Sequence, residues 1–137
     1  MKKFVVNSIN DYDKILNYIF EKNTRIFLFK GELGSGKTTL IQLICKKFGV
    51  KDKVLSPTFN LVNEYSSYKN DMKLFHFDLY RIKNINELIQ IDFIDIIDSG
   101  SYCFIEWPDI CKNLINTNFL ELNFKIISES KREIIII

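Results

Sequence analysis

Four consecutive apolar residues, Ile26-Phe27-Leu28-Phe29, run almost directly into Gly31-Glu32-Leu33-Gly34-Ser35-Gly36-Lys37-Thr38-Thr39, and Leu40, Ile41, Leu43 and Ile44 then recur at helical spacing as far as Gly49. An apolar run with no polar interruption suits a strand buried on both faces. A buried strand followed at once by a helix is the unit of a parallel sheet covered by helices. The segment between them matches G-x-x-x-x-G-K-[ST] in full and sits in the strand-to-helix context that the motif requires. Its glycines, Gly34 and Gly36 among them, reach backbone angles closed to other residues. The main chain can therefore curl with its N–H groups converging on a phosphate, at the positive end of the following helix. A turn that only joined strand to helix would have no use for the lysine and hydroxyl at its end.

The rest of the chain extends this unit into an α/β fold of P-loop NTPase type, three layers with a mixed, mainly parallel sheet and antiparallel hairpins. A length of 137 residues suits a single domain over 1–137. A short strand is expected at 4–6. The Ser8/Asp11 spacing then opens a helix with Ile9, Tyr12, Leu16, Ile19 and Phe20 on one face. Val54 and Leu55 form a candidate strand stopped by Ser56-Pro57, and residues 59–65 and 73–79 read as two strands of a hairpin. Asn84 with Glu87 opens a helix whose inner face is Ile85, Leu88, Ile89, Phe93, Ile96 and Ile97. Strands follow at 102–105 and 120–126, and a last hairpin reaches 134–137.

Nineteen basic against 17 acidic residues leave a net charge of +2. That is far from the footprint of a protein that binds nucleic acid by neutralising phosphates, so direct RNA binding is not expected. Cys45, Cys103 and Cys111 make no CxxC pair and no Cys/His set, which points away from disulfides and zinc and toward a reducing, cytoplasmic setting. No segment reads as a signal peptide or a membrane span.

Several residues carry candidate chemistry. In the loop, Gly34, Ser35 and Gly36 supply the cradle, Lys37 reaches the β- and γ-phosphates, Thr38 ligates Mg²⁺, and Thr39 donates to the α-phosphate. Such a site needs a carboxylate at a neighbouring strand end, to hold the metal or orient water. Glu106 and Asp78 both stand after apolar strands, where solvated acids are also common. Thr58 reads as a switch threonine or as part of a turn. His76, the only histidine, reads as a core histidine or a catalytic one, the former being commoner. Trp107 either packs near the nucleotide or fills the core, and Arg81 either meets phosphate or makes a surface pair.

The loop, Ser56-Pro57-Thr58-Phe59-Asn60-Leu61-Val62-Asn63-Glu64-Tyr65, His76-Phe77-Asp78-Leu79-Tyr80-Arg81 and Ile105-Glu106-Trp107-Pro108 occur in this order. Together they resemble the TsaE family, the ATPase of bacterial tRNA threonylcarbamoyladenosine synthesis. The resemblance implies an ATPase, weak alone, that works with TsaD and TsaB, which transfer the threonylcarbamoyl group, and so meets tRNA only through the complex. By motif it makes Lys37 the phosphate lysine, Thr38 and Glu106 the magnesium residues, Asp78 a second acid, Thr58 the switch-like threonine and Trp107 the tryptophan after the metal carboxylate. Asp92 stands where members commonly carry Gly, Tyr12 where Thr is frequent, and Asn60 where Thr is frequent. A small kinase would want an arginine-rich lid, but only Arg25, Arg81 and Arg132 are present; a GTPase would want an N-K-x-D motif, which is missing. An adaptor that binds ATP without hydrolysing it is the remaining alternative. A partner is expected to dock at the sheet edge or after Pro108.

Overall fold

The computed structural model describes residues 1–57, 60–69 and 71–137. Its centre is the strand the sequence marks first, β2 (Ile26–Lys30), whose residues Ile26 to Phe29 are all buried. Because side chains alternate along a strand, Ile26 and Leu28 enter one apolar cluster, and Phe27 and Phe29 the other. Each cluster is roofed by helices, which makes the three layers. On one face lie α1 (Tyr12–Phe20) and α2 (Lys37–Lys47). On the other lie α3 (Asn86–Gln90) and α4 (Phe93–Asp98).

The remaining strands are β1 (Lys2–Val6), β3 (Val62–Ser66), β4 (Lys73–Asp78), β5 (Tyr102–Glu106), β6 (Leu120–Ile126) and β7 (Arg132–Ile136). They join β2 in one sheet of order β1-β7-β6-β2-β5-β4-β3. The pairings of β2 with β5, β2 with β6 and β4 with β5 are parallel; β1 with β7, β3 with β4 and β6 with β7 are antiparallel. The sheet is thus mixed, with its parallel part confined to the four central strands and the hairpins at its edges. The chain leaves β2 through α2 on one face and leaves β4 through α3 and α4 on the other. The crevice between such oppositely directed connections, at the carboxyl ends of the strands, is where α/β sheets hold ligands.

Three expectations are corrected. Val54 and Leu55 make no strand. The Leu55 backbone bonds side chains instead, its N–H donating to the Tyr65 hydroxyl (3.2 Å) and its carbonyl accepting from Asn63 Nδ2 (3.2 Å). The hairpin strand expected at 59–65 begins only at Val62, Phe59 lying outside the described residues. The helix expected through Ile97 is two helices, because Asp92 adopts left-handed backbone angles (φ 56°, ψ 37°) and breaks the ladder there. The break re-aims the apolar stripe: Leu88, Phe93 and Ile97 are buried, whereas Ile85 and Ile89 are 42% and 65% exposed. Both helix openings expected from spacing are present. Asp11 Oδ2 accepts from the N–H groups of Asn7 and Ser8, which lowers its carboxyl below the usual range, and Glu87 Oε2 accepts from those of Lys83 and Asn84.

Candidate functional site

The loop after β2 turns through left-handed angles at Gly34 (φ 79°) and Gly36 (φ 104°) and delivers Lys37 as the first residue of α2. Lys37 is only 4% exposed. Its Nζ donates to the carbonyl oxygens of Gly31 and Glu32, the latter at 3.3 Å, and lies 3.9 Å from the centre of the Trp107 ring. Burial pushes the ammonium below the ordinary lysine range, while the negative charges of Glu106 and Asp78 pull it back up. The loop is also braced from outside, with Arg132 Nη2 donating to the Gly34 carbonyl at 3.2 Å.

The parallel register sets the acids beside the loop. Phe29 pairs with Glu106, and Glu106 pairs with Asp78, so β2, β5 and β4 end side by side. Glu106 is 3% exposed, and the Thr38 hydroxyl lies 3.1 Å from both of its carboxylate oxygens. A hydroxyl and a carboxylate at one point make a hard oxygen donor pair of the kind that suits Mg²⁺, which takes few protein ligands and completes its shell with phosphate and water. Among the described residues no group of three or more His, Cys, Asp or Glu side chains forms a metal site complete in itself. His76 Nε2 lies 2.6 Å from Glu106 Oε2. Asp78 is fixed by the Ser56 hydroxyl, which donates to Oδ2 at 2.6 Å, and by the Tyr80 N–H, which donates to Oδ1 at 3.1 Å.

Gly34, Ser35, Gly36, Lys37, Thr38, Thr39, Ser56, Asp78, Glu106 and Trp107 therefore surround one cleft of about 310 Å³. Of the candidates named from the sequence, Gly34, Ser35, Gly36, Lys37, Thr38, Thr39, Asp78, Glu106 and Trp107 are gathered there; His76 meets the cleft through Glu106, Arg81 is exposed and does not line it, and Thr58 lies outside the described residues. Trp107 is half-buried with φ 58°, one face toward Lys37 and its ring 4.8 Å from that of Tyr80, so it lines the cleft.

A family model described as Threonylcarbamoyl adenosine biosynthesis protein TsaE matches residues 6–134. This chain belongs to the TsaE family. Proteins named tRNA threonylcarbamoyladenosine biosynthesis protein TsaE from Rickettsia prowazekii and Aquifex aeolicus are each 33% identical to it. The first match covers 93% of this chain and 90% of the relative, the second 98% and 94%. The crystal structure of Bacillus subtilus YdiB shares the fold, with a TM-score of 0.70 over 97% of this chain and 82% of that one, at 23% identity.

The departures from the TsaE pattern now have places. Asp92 occupies a left-handed position, where glycine, the residue expected from the family resemblance, would sit without strain. Tyr12 reaches the loop, where a Cβ on Gly36 would come within 2.8 Å of its hydroxyl. Sequence reasoning missed two contributors to the TsaE site. Ser56 stands in a motif whose interest centred on Thr58, and its bond to Asp78 spans 22 positions. Tyr80 follows Asp78 by two, and only the fold brings it onto Trp107.

Proposed function

We propose that this chain is a Mg-ATP-dependent ATPase of tRNA threonylcarbamoyladenosine biosynthesis, slow alone and stimulated by TsaD and TsaB. Membership of the TsaE family supports the pathway. The observation that carries the chemistry is the Thr38–Glu106 pair, 3.1 Å apart, standing beside a glycine loop and its lysine. In this reading the loop amides and Lys37 hold the triphosphate, and Thr38 with Glu106 hold the magnesium ion, which when bound supplies positive charge where phosphoryl transfer develops negative charge. Lys37 gives up its bonds to the Gly31 and Glu32 carbonyls for phosphate oxygens. Asp78, fixed by Ser56 and the Tyr80 N–H, orients the attacking water. The protein acts in the cytoplasm and meets tRNA only through its partners, which dock at the sheet edge or on the segment after Pro108.

Phosphate release from ATP, measured with and without purified TsaD–TsaB, tests this directly. Stimulation of the wild type and its loss in Glu106→Ala are expected. A charge-assisted hydrogen bond contributes roughly 1.5–3 kcal/mol, so Lys37→Ala should weaken ATP binding by about 10- to 100-fold in calorimetry. Phosphoryl transfer to a small acceptor would instead establish a kinase, and ATP binding without turnover an adaptor.

A further inference from the structure

His76 is the only histidine of the chain and is fully buried. One ring nitrogen meets Glu106 Oε2 at 2.6 Å, and the other, Nδ1, has no hydrogen-bond partner among the described residues. An unpartnered buried polar atom costs free energy, which an aliphatic side chain here would avoid. Leu74, two residues earlier on the same face of β4, is such a side chain and is equally buried. The imidazole is thus tied to this position by its one hydrogen bond among the described residues rather than by packing alone.

The geometry gives that contact a direction. A carboxylate only accepts, so Nε2 donates to Glu106, and Nδ1 has no partner among the described residues. Oε2 of Glu106 then accepts from the ring as well as facing Thr38, whereas among the described residues Oε1 faces only the Thr38 hydroxyl. His76 pairs with Phe104 and Glu106 with Asp78, so the imidazole reaches diagonally from one rigid strand to the next. Side chains seated on adjacent paired strands hold a geometry better than loops do.

We infer that His76 is a positioning residue. It clamps Oε2 of Glu106 so that Oε1 and the Thr38 hydroxyl face the metal ion of bound Mg-ATP together, an inference that rests on the Mg-ATP reading above. Groups that hold a metal ligand from behind typically change metal affinity by about 10- to 100-fold when lost.

The test compares His76→Asn, whose amide ends near the position of Nδ1, with His76→Gln, whose amide N–H extends toward that of Nε2. Calorimetric titration with ATP, in EDTA and in Mg²⁺, separates nucleotide affinity from its dependence on the metal. His76→Asn should lose about 10-fold or more of the Mg²⁺ enhancement, keep its metal-free ATP affinity within about twofold, and be largely rescued in His76→Gln. Full Mg²⁺ enhancement in His76→Asn, or identical behaviour of the two variants, overturns the inference while the Mg-ATP reading stands. A wild type that shows no Mg²⁺ enhancement overturns both. Should His76→Asn fail to fold, ¹⁵N spectra of the wild type decide, since a single histidine gives one assignable imidazole. A proton on Nε2 that shifts in Glu106→Gln supports the clamp, and a proton resting on Nδ1 alone overturns it.

Discussion

Gly31 closes the end of β2 against β6, and the space around it is already full. A Cβ there would lie 2.8 Å from Phe124 Cβ, from the Phe124 carbonyl oxygen and from Ser35 Oγ, whereas one on Gly34 would meet nothing within 4 Å. Gly34→Ala should therefore carry only the strain of its left-handed backbone, about 1–2 kcal/mol. Gly31→Ala should add the overpacking of β6, about 1–3 kcal/mol more. Urea unfolding midpoints measure the difference, and equal midpoints would show that the loop does not press on β6. At this scale the motif made Lys37, Thr38, Glu106 and Asp78 legible, because phosphate and metal chemistry demands those residue types at strand ends and helix starts. Ser56 was not legible as a site residue, and His76, read as a core or a catalytic histidine, gave no sign of its partner. Their contacts span 22 and 30 positions, and nothing in local spacing records which strands become neighbours.

Among the elements, the pair α3 and α4 departs furthest from expectation. Apolar spacing from Ile85 to Ile97 fits one continuous helix, and periodicity carries no sign of a residue that turns left-handed in the middle. The available signal was Asp92 itself, standing where the family resemblance led to the expectation of glycine, since aspartate tolerates such angles better than most side chains. Asp92→Gly should accordingly be tolerated. Asp92→Ala, lacking the glycine's freedom and the aspartate's greater tolerance of left-handed angles, should cost about 1 kcal/mol. Denaturant midpoints of the two variants should fall in that order, and the reverse order would mean that the bend is held by its neighbours alone. The strands were easier to read: β2 and β5 are buried on both faces and declare themselves as apolar runs, and β6 by alternation. Strand order was not readable, as β6 pairs with β2 across a sequence separation that no local pattern records.

For the molecule as a whole, the two apolar clusters contribute to its response to alkaline pH. Cys45, Cys103 and Cys111 are fully buried, and burial pushes each thiol from 9.0 up to about 12. The unfolded chain ionises these groups near 9.0 while the folded chain holds them neutral, so above that pH the unfolded state binds fewer protons and is favoured. Stability from this source is complete below pH 9 and is lost as pH rises toward 12. Urea midpoints should fall across that window, and iodoacetamide at pH 8 should leave the native thiols unmodified yet label all three in urea; labelling of the native protein would reveal local opening. No helix of the described residues is long and apolar enough to cross a membrane. One further property follows from where the chain places its single tryptophan. Since that indole lies beneath the Lys37 ammonium, emission excited at the red edge of the ultraviolet band, where tyrosine does not absorb, is an optical gauge of one lysine's whereabouts, readable without any label.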